Sequence, residues 1–174
     1  MKNKSIIFLL NFYLIFAFAA CQLEEENEPL IIETDGYAYI TKDQAIEQSL
    51  NMVIGIFERI EQAEIGSKIF WKVFIVTESG SSILFEYLIE PGELWEITGL
   101  SPSFDYQFNP SLDVMNFNAA RDTALKFKSG EIIFWKLRMD KHRLNWEYRF
   151  HIQDAERIWD VRFNAASGSL IKIG

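Results

Sequence analysis

The sequence predicts an α+β fold of two tandem repeats, each with one helix packed on a three- to four-stranded antiparallel sheet. Two stretches carry apolar residues at helical spacing, and each is followed by runs that alternate apolar and polar residues. Comparing the chain with itself at an offset of 75 residues brings the halves into phase, so that Trp71 falls on Trp146. A rival offset of 64 residues aligns the identical segments 69–72 and 133–136, but it does not extend to the helices. We therefore adopt the longer offset.

Each repeat begins with a helix whose start is marked by a capping residue. In the first repeat Thr41 and Gln44 have the spacing of a capping box, in which each side chain bonds the other residue's backbone N–H. Ala45 and Ser49 then lie on one helical face, and their small size favours close packing against a sheet. In the second repeat Asn116 is the expected cap.

Strands are expected after each helix. Residues 144–152 and 158–164 alternate apolar and polar side chains, which is typical of strands with one buried face. Segment 56–65 is open to two interpretations. Its glutamates favour a continued helix, whereas Gly55 and the repeat offset favour a strand, which we choose.

The start of the chain has the pattern of a secretory signal. Lys2 and Lys4 precede the apolar run 6–18, and small residues lead to Cys21. Segment 18–21 resembles a lipobox, with Phe where the pattern usually has Leu, and this resemblance implies acylation of Cys21. A transmembrane helix is the alternative, but the apolar run is shorter than the roughly 20 residues that a bilayer needs.

The mature chain is expected to begin with an acidic tether. Segment 22–29 holds four glutamates and few apolar residues, so it cannot bury enough surface to fold alone. An acidic run just after a lipidated cysteine resembles the surface-export signal of Bacteroidota lipoproteins, which implies an outer-membrane lipoprotein exposed at the cell surface. The expected segments are a signal peptide (1–20), the tether (21–39), a first repeat (40–99), a linker (100–114) and a second repeat (115–174).

Charge and residue content argue against several functions. The net charge is −8, and loss of Lys2 and Lys4 with the signal leaves about −10, so a nucleic-acid partner is not expected. Cys21 is the only cysteine, and His142 and His151 are interpreted as surface residues, so neither a metal site nor an activated nucleophile is predicted. We expect no catalytic residue and no cofactor. An enzyme that uses scattered carboxylates remains a minor alternative.

A binding surface is the positive prediction. The first repeat has strands that are apolar on both sides, and such strands are either covered on both faces or expose a patch. The patch would carry protein-binding side chains, with the two charged ones setting orientation: Phe70, Lys72, Phe74, Leu84, Glu86 and Leu88. The alternative is that the second repeat or the aromatic linker covers this face.

The repeats resemble the PepSY domain of secreted bacterial proteins and peptidase propeptides. The resemblance rests on the helix pattern of 40–50 and on the closing turns 90–94 and 166–170. Tandem units of a helix and a sheet also resemble the beta-lactamase inhibitory proteins. These resemblances imply binding to, or restraint of, a peptidase, so together with the lipobox we expect a membrane-anchored, non-catalytic protein-binding module. The alternative function is that of an accessory lipoprotein in an envelope complex.

Overall fold

The structure is a computed structural model that describes residues 33–34, 37–101, 104, 107–110, 113–140, 142 and 144–174. The described residues belong to one compact unit. No helix among the described residues has the length and apolarity required to cross a bilayer. The predicted signal, Cys21 and most of the acidic tether lie outside the described residues.

Within the described residues, each of two helices is followed by four strands. The first helix, α1, spans Lys42–Met52, and the second, α2, spans Phe117–Phe127. The strands are β1 (Glu33–Thr34), β2 (Tyr37–Ala38), β3 (Gly55–Ile65), β4 (Lys68–Thr77), β5 (Ser82–Leu88), β6 (Leu94–Gly99), β7 (Glu131–Asp140), β8 (Asn145–Gln153), β9 (Ile158–Asn164) and β10 (Leu170–Ile173). Strands β1 and β2 form a separate two-stranded pair.

Strands β3 to β10 form one antiparallel sheet of eight strands in chain order, so far as the chain is described. The predicted fold class, two repeats that each pack a helix on a sheet of their own, is therefore wrong. The two four-stranded groups are joined because β6 pairs with β7, from Glu96 opposite Arg138 to Gly99 opposite Trp135. This pairing satisfies backbone groups that two separate sheets would leave open at their edges.

A glycine and a tryptophan close this junction on the helix side. Trp135 is fully buried, and a Cβ atom at Gly99 would lie 2.2 Å from the indole Nε1. Only glycine leaves room for the ring at that position. The ring also packs against Phe108 and Phe117, with centroids 5.5 and 4.8 Å away.

Both described helices pack on the same face of the sheet. Ser49 of α1 hydrogen-bonds the Tyr87 hydroxyl at 3.0 Å, and Phe117 of α2 lies against Trp135 and Phe150. The sheet side chains beneath the helices include six fully buried aromatic rings: Phe85, Tyr87, Trp135, Tyr148, Phe150 and Phe163. Burial raises the pKa of the Tyr87 phenol.

Several local predictions are confirmed. The capping box of Thr41 and Gln44 is present, with bonds of 3.2 and 2.9 Å, and Asn116 caps α2. Segment 56–65 lies in strand β3. Phe108 of the linker is buried on the helix side against Phe85 and the tryptophan ring of β7, so this residue does not cover the predicted patch.

Replacing Gly99 by valine should destabilise the protein by about 3 kcal/mol, because the new side chain overlaps Trp135 in a packed core. Urea unfolding followed by circular dichroism measures the loss. Ile97→Val, on the same face of the same strand, removes bulk and should cost only about 1 kcal/mol. Equal losses for the two variants would contradict the tight fit at this junction.

Candidate functional site

The candidate site is the sheet face opposite the helices, which we call the open face. Neighbouring side chains of a strand point to opposite faces, so residues that alternate with the core residues form it. In β4, for example, Lys72 and Phe74 alternate with the buried Val73 and Ile75. Both described helices and Phe108 pack on the other face.

All six predicted partner-binding residues lie on the open face. The strand register sets Phe70 opposite Leu88, Lys72 opposite Glu86, and Phe74 opposite Leu84. The structure therefore brings the predicted patch together on two neighbouring strands. Its role in binding stays a prediction.

The apolar part of this patch is largely covered. Phe70, Phe74 and Leu88 are only 3%, 7% and 3% exposed. Trp95 meets Phe70 edge-on at 6.0 Å between ring centroids, and the Arg59 guanidinium lies 3.6 Å above the Phe74 ring. Neighbouring side chains of the same sheet are thus part of the cover, and a partner would meet Trp95 and Arg59 as well as the predicted residues.

Sequence reasoning missed Trp95 because its position depends on an irregularity between β5 and β6. Glu86 pairs with Glu96, but Tyr87 pairs with Leu94, which leaves Trp95 as an extra residue. The bulge lets Trp95 reach Phe70 on the open face. Simple alternation along the strand does not reveal such an insertion.

One ion pair crosses the middle of the apolar patch. Lys72 Nζ lies 2.9 Å from Glu86 Oε1, and the two side chains are 23% and 13% exposed. Apolar pairs flank it on both sides along the strands. The predicted charged residues are therefore fixed to each other, which gives the patch a defined polar centre.

The second half of the open face carries a row of cations. Lys136 of β7, Arg149 of β8, Arg162 of β9 and Lys172 of β10 stand opposite one another on consecutive strands. Like charges in this arrangement repel. Carboxylates beside the row offset the repulsion, so the face is a network of fixed charges of both signs.

Asp160 neutralises two cations of this row. It accepts bonds from Arg149 Nε at 2.8 Å and from the Arg162 Nη2 atom at 2.7 Å. Burial by itself would raise the pKa of Asp160, but the hydrogen bonds from Arg162 and Arg149 outweigh it and hold the pKa at about 2. The carboxylate is therefore ionised across the physiological range.

Glu96 likewise neutralises a cation, Lys136, at the junction of β6 and β7. Lys136 Nζ lies 3.2 and 3.0 Å from its two oxygens, and Thr98 donates to Oε1 at 3.2 Å. Arg138 is half exposed, with Nε 4.0 Å from Glu96. Arg138 is thus an accessible cation of the open face.

His151 also lies on the open face, whereas His142 is exposed in the turn before β8. The His151 ring packs at a tilt against Phe134, with the ring centroids 4.7 Å apart. Burial, followed by the charge of Arg149, lowers the pKa of His151 below its ordinary value of 6.5. His151 is therefore mainly neutral at pH 7.

A cleft lies on the helix side, beyond the end of α1 and the start of α2. It has a volume of about 320 Å³, and its lining combines amide and apolar side chains: Leu50, Asn51, Met52, Val53, Ile54, Gln107, Phe108, Asn109, Asn116 and Asn118. None of these lining residues is ionisable near pH 7. Asn116 is already used, since its Oδ1 accepts from the Ala119 N–H at 2.9 Å.

No group of three or more His, Cys, Asp or Glu side chains among the described residues is arranged to hold a metal ion. No protein-family model matches the chain, and no curated protein matches it significantly. The PepSY-like resemblance therefore stays a prediction.

A solved structure from Clostridium difficile 630, provisionally described as a lipoprotein, is similar at a TM-score of 0.37 and 16% identity. The similarity covers 85% of this chain and 99% of the other. At this TM-score the likeness carries no inference about function.

Replacing Asp160 by asparagine should lower the free energy of unfolding by about 1–2 kcal/mol at pH 7, because charged hydrogen bonds to Arg149 and Arg162 are lost at a partly solvated site. Urea unfolding at several pH values measures it.

The stabilisation from a lowered pKa is complete above the ordinary value of 3.8 and fades as the pH falls toward 2, so the two proteins should converge there. Asp122→Asn, in an exposed pair with Arg121, is the control and should change stability by less than about 0.5 kcal/mol. A difference at Asp160 that did not depend on pH would contradict this explanation.

Proposed function

We propose that this chain is a lipid-anchored, non-catalytic protein that binds another protein through its open face. The observation that carries the proposal is a sheet face that neither described helix covers. Its buried aromatic residues and partly exposed ion pairs are held in fixed positions.

The anchor is supported by the sequence of the first 21 residues. A charged start, an apolar run and small residues before Cys21 match a lipoprotein signal. Acylation would also give a role to the only cysteine in the chain. The acidic tether that follows supports placement at the outer membrane and exposure at the cell surface.

Binding is supported by the order of the open face. Its charged side chains are paired across neighbouring strands, so they lose little conformational freedom when a partner arrives. Leu84 and Trp95 add partly exposed apolar surface close to the Lys72–Glu86 pair. A polar network beside apolar anchors is a common arrangement in protein interfaces.

A non-catalytic role is supported by how the ionisable groups are used. Asp160 and Glu96 each neutralise cations beside them, and a low pKa makes Asp160 a poor general base. His151 packs against Phe134. The cleft on the helix side is lined by amide and apolar side chains.

The partner class that the PepSY-like resemblance implies is a peptidase, which the chain would restrain or regulate. Another protein of the cell envelope, joined as part of a complex, is the alternative partner. The identity of the protein captured at the open face separates the two.

Replacing Cys21 by serine should prevent acylation and release the protein from the membrane fraction. Labelling with a radioactive fatty acid, together with fractionation of cells, measures both effects. Phe18→Leu is the matched control, since it restores the usual residue of the lipobox and should keep the label. Fatty-acid label on the Cys21→Ser chain would refute anchoring through this cysteine.

A photo-crosslinking amino acid placed at Leu84 or Arg138 should capture a partner in intact cells, because both side chains are accessible on the open face. The same group at Glu47 of α1 or Lys126 of α2 is the control on the opposite side. Mass spectrometry identifies the captured protein. Equal capture from both sides, or none from the open face, would exclude the proposed surface.

A further inference from the structure

The two edges of the eight-stranded sheet are built differently. At one end β10 has four residues, Leu170–Ile173, and an irregular register with β9. Short and bulged edges resist pairing with another strand. At the other end β3 has 11 residues, Gly55–Ile65, and its outer side pairs with no strand of the described chain. Its register with β4 also shifts once, between Phe57 and Arg59, so the difference between the two edges is one of length.

The charges on β3 are complementary to the same strand run in the opposite direction. Arg59 and Glu61 lie on the open face, opposite Phe74 and Lys72 of β4. They flank Ile60, which lies on the helix face opposite Val73. If two copies of β3 pair antiparallel about Ile60, each Arg59 stands opposite the other copy's Glu61.

Neighbouring registers lack this complementarity. A two-fold axis perpendicular to a continuous sheet passes through a residue that faces its own copy, because directly opposite side chains share a face. Centring the axis on Arg59 or on Glu61 would oppose two like charges. Centring it on Ile60 gives two Arg–Glu pairs and an apolar contact between the two isoleucines.

The charges also distinguish β3 from a protected edge. Protective edges carry charges that repel a second copy, commonly lysines. In β3 the register about Ile60 turns the charges into attraction. The Arg59 guanidinium rests on Phe74 and binds two carboxylates of its own strand, Glu61 at 2.8 Å and Glu58 at 3.0 Å. In the proposed register, the exposed Arg59 would also face Glu61 of the second copy.

We propose that two copies of this chain associate through β3, antiparallel and centred on Ile60, to form one continuous sheet. The open faces of the two copies then lie on the same side of the joined sheet. The proposal does not depend on the function assigned to the open face.

Cysteine crosslinking of the full chain tests the register. In an antiparallel pair, opposite Cα atoms lie about 4.5–5.5 Å apart, within the range of a disulfide. Ile60→Cys should therefore give a dimer on non-reducing gels after mild oxidation. Gln62→Cys is the matched control on the same face, because its copies would lie roughly 14 Å apart along the strand. The unsubstituted chain reports any link through Cys21.

Charge reversal in the Ile60→Cys background tests the contacts. Arg59→Glu opposes two glutamates at both ends and should lower crosslinking about tenfold. Adding Glu61→Arg should restore it. If the first variant fails to fold by circular dichroism, Glu61→Arg alone opposes two arginines and should give the same loss.

The results separate the possibilities. A crosslink at Ile60, its absence at Gln62 and rescue by the double reversal would support the proposal. Equal crosslinking at both positions, no crosslink at Ile60, or a charge reversal without effect would overturn it. The last two outcomes would fit a β3 edge that stays unpaired or takes a strand from a different protein.

Discussion

The structure depends on the pairing of β6 with β7, where the two four-stranded groups meet. On the helix side Gly99 leaves space for the buried ring of Trp135, which also packs against Phe108 and Phe117. On the other side Lys136 is bound to Glu96. The junction is therefore apolar on the helix side and ionic on the open face. Its apolar side holds Phe108 of the linker and Phe117 of α2 against the sheet.

Continuity of the sheet gives the molecule two unlike faces. Because both described helices pack on one face, the hydrophobic core lies there and uses apolar side chains of six strands, from β4 to β9. The other face gains no such cover from them, so its charges must be satisfied within the sheet. Cross-strand ion pairs such as Lys72–Glu86 and Arg149–Asp160 meet that need.

The same ion pairs support the proposal that the open face binds a partner and does not catalyse a reaction. A general acid or base needs a pKa near the working pH and must be able to reach the substrate. Asp160 meets neither requirement, since two arginines hold it and lower its pKa to about 2. A surface of fixed charges beside Trp95 and Leu84 is instead ordered before a partner arrives.

The apolar patch shows how far pattern reasoning reaches. Alternation along β4 and β5 correctly placed Phe70, Phe74, Leu84 and Leu88 on one face. The alternation of residues along a strand does not predict which other side chains cover them. Most of the area of the two phenylalanines is covered, and Trp95 and Arg59 lie against their rings.

The local elements of this protein follow from its sequence. The capping box at Thr41, the cap at Asn116 and the alternation in β8 and β9 depend on residues a few positions apart, so a pattern suffices to predict them. The pairing of β6 with β7 and the bulge at Trp95 became visible only in the folded structure. Strand partners and bulges depend on backbone hydrogen bonds between distant segments. The order of apolar and polar residues along the chain does not show which backbone groups pair.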